Sequence, residues 1–242
     1  MNRTPGEDTT RPPWVLRSRI IYPLVRAVVH TAMKGLCRLR LHGTGHLPAG
    51  GPLILVANHQ SYLDPFMMGA GIHLRPHYLV WTDFMRMPLI GTFCRTFGGL
   101  EVGHGPPARS LRAARKALMA GEVLEIFPEG GRSPDGGVLP FARGFAQLAR
   151  VTGAGVLPAA IVGADGVWPP SRVLPRRGQV DIYYGQVMLN EAAADLSGEE
   201  ARRVDRAFAQ RVRQAILDLS AGRLRAAVKP VAAVSRPAEE TG

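Results

Sequence analysis

The sequence predicts one α/β domain, a largely parallel central sheet flanked by helices, led by an N-terminal amphipathic helix. Three observations carry this. The chain has 242 residues, 46% of them hydrophobic, which is enough for a substantial core. Short apolar runs alternate with stretches of helical periodicity, the pattern of parallel strands joined by crossover helices. Amphipathic stretches with helical spacing lie near both ends.

The elements follow in order. Residues 1–13, MNRTPGEDTTRPP, are polar and proline-containing and are expected to be disordered. Residues 14–41 form an amphipathic helical region. Ile20, Ile21, Leu24, Val25, Val28, Ala32, Met33 and Leu36 recur at helical spacing, with Arg19, Arg26, His30, Lys34 and Arg38 largely on another stripe. The charges break every apolar stretch well short of the roughly 18 residues a spanning helix needs. Trp14 and Tyr22 near its start suit a bilayer interface, with the basic face toward anionic lipid. The same stripe can instead pack on the protein's own core, and both readings stand.

Residues 42–221 form the globular domain. Leu53–Ala57, Tyr78–Trp81, Val123–Phe127, Val156–Val162 and Gln179–Tyr184 read as strands, and residues 65–72, 88–96, 107–120 and 143–152 as helices. Ser197 with Glu200 three residues on forms a capping box that opens a last helix through Phe208, Val212, Ile216 and Leu219. Residues 222–242, rich in Ala, Val and Pro from Val228, are expected to be a disordered tail.

A net charge of +11 points to an anionic partner: nucleic acid, a lipid surface or a phosphorylated cofactor. Basic runs interleaved with aromatics are absent, which argues against nucleic acid. Cys37 and Cys94 have neither metal-ligand nor disulfide-framework spacing, fit a reducing compartment and read as core residues. His42, His46, His73 and His77 form no ligand set, so no metal site is expected. There is no G-x-S-x-G elbow, P-loop or dinucleotide fingerprint.

Two segments about seventy residues apart carry the chemistry, NHQSYLDP at 58–65 and FPEGGRS at 127–133. Each follows an apolar strand. Asp64-Pro65 opens a helix, with proline where its missing N–H costs nothing. Folded back at that junction, Asp64 can hold one ring nitrogen of His59 and leave the other free to take a proton from a hydroxyl. Ser61 and Asp64 can equally form a capping box, with His59 a plain loop residue. In the second segment the Gly130-Gly131 pair lets backbone N–H groups approach an anion, and Arg132 can fork two phosphate oxygens. Glu129 can hold an acceptor hydroxyl or orient Arg132. A surface turn with an ordinary Glu–Arg pair is the simpler alternative.

The first segment resembles the N-H-x-S-x-x-D block of the glycerolipid acyltransferases, and the second their F-P-E-G-x-R-S block. Gly45-His46-Leu47-Pro48, Phe141-Ala142-Arg143-Gly144 and Val156-Leu157-Pro158 resemble further segments of that family, over about residues 40 to 165. The resemblance implies a glycerolphosphate-acyltransferase-like fold and an enzyme of phospholipid synthesis. It implies that His59 deprotonates the acceptor hydroxyl and that Asp64 supports it. Glu129, Gly130, Gly131, Arg132 and Ser133 would bind the acceptor and its phosphate, within a site shaped by Phe127 and Pro128. The acyl donor would be a fatty acyl-CoA or an acyl-carrier protein thioester, with no resident cofactor. The acceptor would be a lysophospholipid, 1-acyl-sn-glycerol-3-phosphate first among them, met at the cytoplasmic side of the cell membrane by a peripheral protein.

Two positions depart from the family pattern. His104 stands where a second phosphate-binding arginine is expected, and Ala142 replaces a common lysine. Either His104, Arg95 or Arg109 compensates, or the acceptor is another hydroxyl compound. A non-catalytic lipid- or acyl-carrier-binding relative is the alternative from outside the enzyme class.

Overall fold

The computed structural model describes residues 13–73, 76–88, 91–92, 94, 98–102 and 107–227. Its strands are β1 (Arg40–His42), β2 (Leu53–Ala57), β3 (Pro76–Trp81), β4 (Gly99–Val102), β5 (Val123–Ile126), β6 (Gly155–Val162) and β7 (Asp181–Tyr184). They form one seven-stranded sheet in the order β1-β7-β6-β2-β5-β3-β4. Every pairing is parallel except β6 with β7. The α/β class read from the alternation is the one observed.

All five residues of β2 are buried, as a strand covered on both faces requires. Its alternating side chains feed two apolar layers. Leu53, Leu55 and Ala57 join Met67 and Met68 of helix α2 (Asp64–Gly71) and Cys37 of helix α1 (Pro13–Cys37). Ile54 and Val56 face helices α4 (Pro107–Met119), α5 (Gly144–Thr152) and α6 (Gly198–Leu219) through Leu118, Phe145, Phe208 and Val212. A short helix α3 (Thr82–Arg86) follows β3.

Several boundaries differ from the sequence expectation. The N-terminal helix ends at Cys37, beyond which Arg38 adopts a positive φ of 43°, and Arg40–His42 adds to the sheet edge beside β7. Met33 and Leu36 pack on the core, as the core-packing reading expects, while Leu24 and Val28 are exposed. Ser197 occupies the N-cap of α6 but makes no side-chain capping bond. Residues 222–227 are not a free tail. Leu224 is buried and Ala226 bridges Val138, with Val138 N–H donating to Arg225 O and Ala227 N–H to Val138 O. Residues 1–12 and 228–242, His104 and Arg95, and much of the helix expected at 88–96, lie outside the described residues, as does the Arg109 side chain. No helix among the described residues is long and apolar enough to cross a membrane.

Candidate active site

Parallel pairing of β2 with β5 brings the two segments together. The strands run in register from Leu53↔Val123 to Val56↔Ile126, so residues 58–63 and 127–133 leave the sheet side by side at its C-terminal edge. Ligands bind at that edge in open α/β sheets.

His59 is held there by its own backbone. Its N–H donates to Glu129 Oε1 at 3.0 Å, and its C=O accepts the Ser133 N–H at 2.7 Å. Asn58, fully buried, completes the frame like an extra rung of the ladder. Its Nδ2 donates to Ile161 O at 2.9 Å and its Oδ1 accepts the Ile161 N–H at 2.8 Å. By its residue type Asn58 could equally be a turn former, and nothing in the local sequence signals its two-sided bond to β6.

The imidazole stacks on Phe127 with centroids 4.3 Å apart and 24° between planes. His59 Nδ1 lies 2.8 Å from Asp64 Oδ2. That oxygen also accepts the Gln60 and Ser61 N–H groups, at 2.7 and 2.8 Å. Two backbone N–H donors on one buried oxygen mark it as an acceptor, which puts the ring proton of the contacting His59 on Nδ1 and the lone pair on Nε2. The capping box offered as the alternative does not form: Leu63 holds the N-cap of α2 without a side-chain cap bond, and Asp64 takes the Ser61 N–H together with the His59 ring. Ser61 Oγ meanwhile donates to Trp168 O and accepts the Leu63 N–H.

Glu129 departs from its expected place. It is 2% exposed and its carboxylate faces the fold, with Oε1 on His59 N–H and Oε2 on Leu139 N–H at 3.2 Å. Burial raises its pKa to about 8, with the Asp64 charge adding to the rise and the two N–H bonds and Arg213 opposing it. The Gly130 N–H is likewise committed, to Phe127 O at 3.2 Å, in a turn whose φ of 71° suits glycine. Gly131 is half-buried beside it, and Ser133 is buried, its hydroxyl donating to Asp135.

Arg132 has the outward position. It is half-buried, its guanidinium stacks over the Tyr62 ring at 3.7 Å, and Tyr62 packs against Trp168 at 5.3 Å. Stacking holds the guanidinium by its face and leaves its N–H edge for an anion. Ala142 sits beside the second segment, its N–H donating to Pro128 O.

A family model described as Acyltransferase matches residues 38–162, which span both segments and β1 through β6. The chain belongs to the acyltransferase family. Its similarity extends to the 1-acyl-sn-glycerol-3-phosphate acyltransferase of Bacillus subtilis, 25% identical over 73% of this chain and 87% of that protein. The chloroplastic 1-acyl-sn-glycerol-3-phosphate acyltransferase BAT2 of Brassica napus is 28% identical over 67% of this chain, which spans 48% of that protein's length. Among solved structures, the 1-acyl-sn-glycerophosphate (LPA) acyltransferase PlsC from Thermotoga maritima superposes with a TM-score of 0.64 at 25% identity, covering 86% of this chain and 87% of that one.

One acid of this family member has no place in the constellation. Glu125 lies on β5 between Leu55 and Tyr78, fully buried, with no hydrogen bond to either carboxyl oxygen among the described residues. Burial, and secondarily the Asp64 charge, push its pKa well above the ordinary 4.5. A raised folded-state pKa leaves stability intact below the unfolded value and removes it as pH rises toward the folded one. Glu125→Leu is therefore expected to stabilise the fold by about 1–3 kcal/mol near neutral pH. The gain should shrink toward about pH 4. Thermal melts of both proteins across pH check this; a pH-independent gain would mean that Glu125 is not carrying the proton.

Proposed function

We propose that this protein transfers a fatty acyl group from an acyl-CoA or acyl-carrier protein thioester to the free hydroxyl of 1-acyl-sn-glycerol-3-phosphate. The observation that carries this is the pairing of an open His59 Nε2, with Nδ1 pinned to Asp64, and an Arg132 guanidinium with no carboxylate partner among the described residues. The names of the Bacillus, Brassica and Thermotoga relatives support the acceptor.

In this reading the acceptor phosphate meets Arg132. The free hydroxyl lies against His59 Nε2, which takes its proton as the oxygen attacks the thioester carbonyl. The tetrahedral intermediate collapses, the C–S bond breaks, and the imidazolium returns the proton to the departing thiolate. No acyl-enzyme forms and no resident cofactor is needed, because the thioester is already activated. Asp64 holds the ring orientation and stabilises the imidazolium. The lipid acceptor implies work at a membrane surface, and the exposed Leu24 and Val28 of α1 suit a peripheral placement on its cytoplasmic side.

A different hydroxyl acceptor is the second reading, favoured by Ala142 beside the second segment and by His104 in place of arginine. Turnover of the purified protein with acyl-CoA against a panel of lysolipids and neutral alcohols tests both. Arg132→Ala should raise KM for the phosphorylated acceptor about 10- to 100-fold, the worth of a charge-assisted hydrogen bond, and barely change it for a neutral one. An equal response from both acceptors would remove Arg132 as the phosphate clamp.

A further inference from the structure

The loop between β6 and β7 carries the two most exposed large apolar side chains among the described residues, Val173 at 89% and Leu174 at 73%. Its base is fixed. Ala164 and Val167 are fully buried, Arg176 N–H donates to Val167 O, Trp168 Nε1 donates to Arg172 O, and Gly178 N–H donates to Leu36 O at the end of α1. Pro169, Pro170 and Pro175 add stiffness. The aliphatic pair is thus held out from the surface by an internally bonded frame. Arg172, Arg176 and Arg177 surround it, all exposed, and no acidic residue occurs from Gly166 to Val180.

We propose that this loop is a membrane-docking finger, with Val173 and Leu174 entering the acyl boundary of a leaflet and the arginines meeting anionic headgroups. Protruding aliphatics ringed by cations suit a fluid hydrocarbon layer beneath negative charge. Its place in the fold gives the finger a purpose. The loop starts at Trp168, which packs on Tyr62, on which Arg132 is stacked. A leaflet holding the finger lies against the rim of the acceptor site, so a lysolipid can pass from bilayer to His59 without crossing water. That purpose rests on the lipid-acceptor reading above; the binding itself does not.

Co-sedimentation of the full chain with vesicles of phosphatidylcholine, alone or with phosphatidylglycerol, tests the proposal. Parent protein should favour the anionic vesicles. Val173→Ser with Leu174→Ser should lower partitioning on the order of 100-fold on those vesicles. Arg172→Gln with Arg177→Gln should lower it by roughly 25-fold, at about fivefold per arginine, and reduce the anionic preference accordingly. Turnover of a water-soluble short-chain acceptor should be unchanged in both variants. Unchanged partitioning of the aliphatic variant overturns the finger. So does unchanged vesicle binding with weakened binding to an acidic acyl-carrier protein, which would make the loop a protein-docking surface. Loss of vesicle binding by the variant, with no acylation of lysophosphatidic acid by the parent, leaves the finger standing and removes the acceptor reading.

Discussion

His59→Ala is expected to lower acyl transfer by about 10²- to 10⁴-fold, the usual worth of a positioned general base, while the protein remains folded. The fold should survive because the residue is held by its backbone. Its N–H bond to Glu129 and its C=O bond from Ser133 persist when the imidazole is removed. The Gln60 and Ser61 N–H groups keep their acceptor on Asp64. Asp64→Ala has a different signature. It strips the acceptor from those two buried N–H groups as well as from the imidazole, so activity and melting temperature should fall together. Steady-state kinetics beside thermal melts of both variants separate the two roles. Turnover of His59→Ala at the parent rate would leave the reaction without its proposed base.

The parts of this arrangement that could be read from sequence are those with a local cause. β2 is an apolar run, and β5 is one but for Glu125, because both faces of the sheet are covered, and the loops that follow them carry the residues of the site. Much of what the structure adds is made by partners distant in the chain. Asn58 looks like a turn residue until Ile161, 103 positions later, arrives beside it. The direction of the Glu129 side chain is settled by N–H groups from residues 59 and 139, which no local pattern announces. The reversal of β7 against β6 and the three-residue edge strand β1 leave little trace, since strand polarity is not encoded in alternation and so short a strand has almost no periodicity. Ser197 carries a capping signature, yet it makes no side-chain bond.

Glu129→Ala is the substitution that most directly separates an acceptor-binding acid from a scaffold acid. As a scaffold, the carboxyl group ties the loop after β2 to Leu139, and removing it leaves the His59 and Leu139 N–H groups without their partner. Each buried unsatisfied donor costs about 1–3 kcal/mol, so the variant should lose several kcal/mol of stability in denaturant melts. Activity should fall through kcat, because the loop that presents His59 loses one of its two backbone ties. Glu129→Gln should be milder. Burial lifts the native carboxyl to about 8, so it is largely neutral at physiological pH and an amide matches its charge. The amide keeps one oxygen acceptor but turns an NH₂ toward the other N–H, so a partial loss is expected. An acceptor-binding acid gives the opposite pattern. Glu129→Ala would then melt like the parent and raise acceptor KM at constant kcat, and that result would return the carboxylate to the substrate.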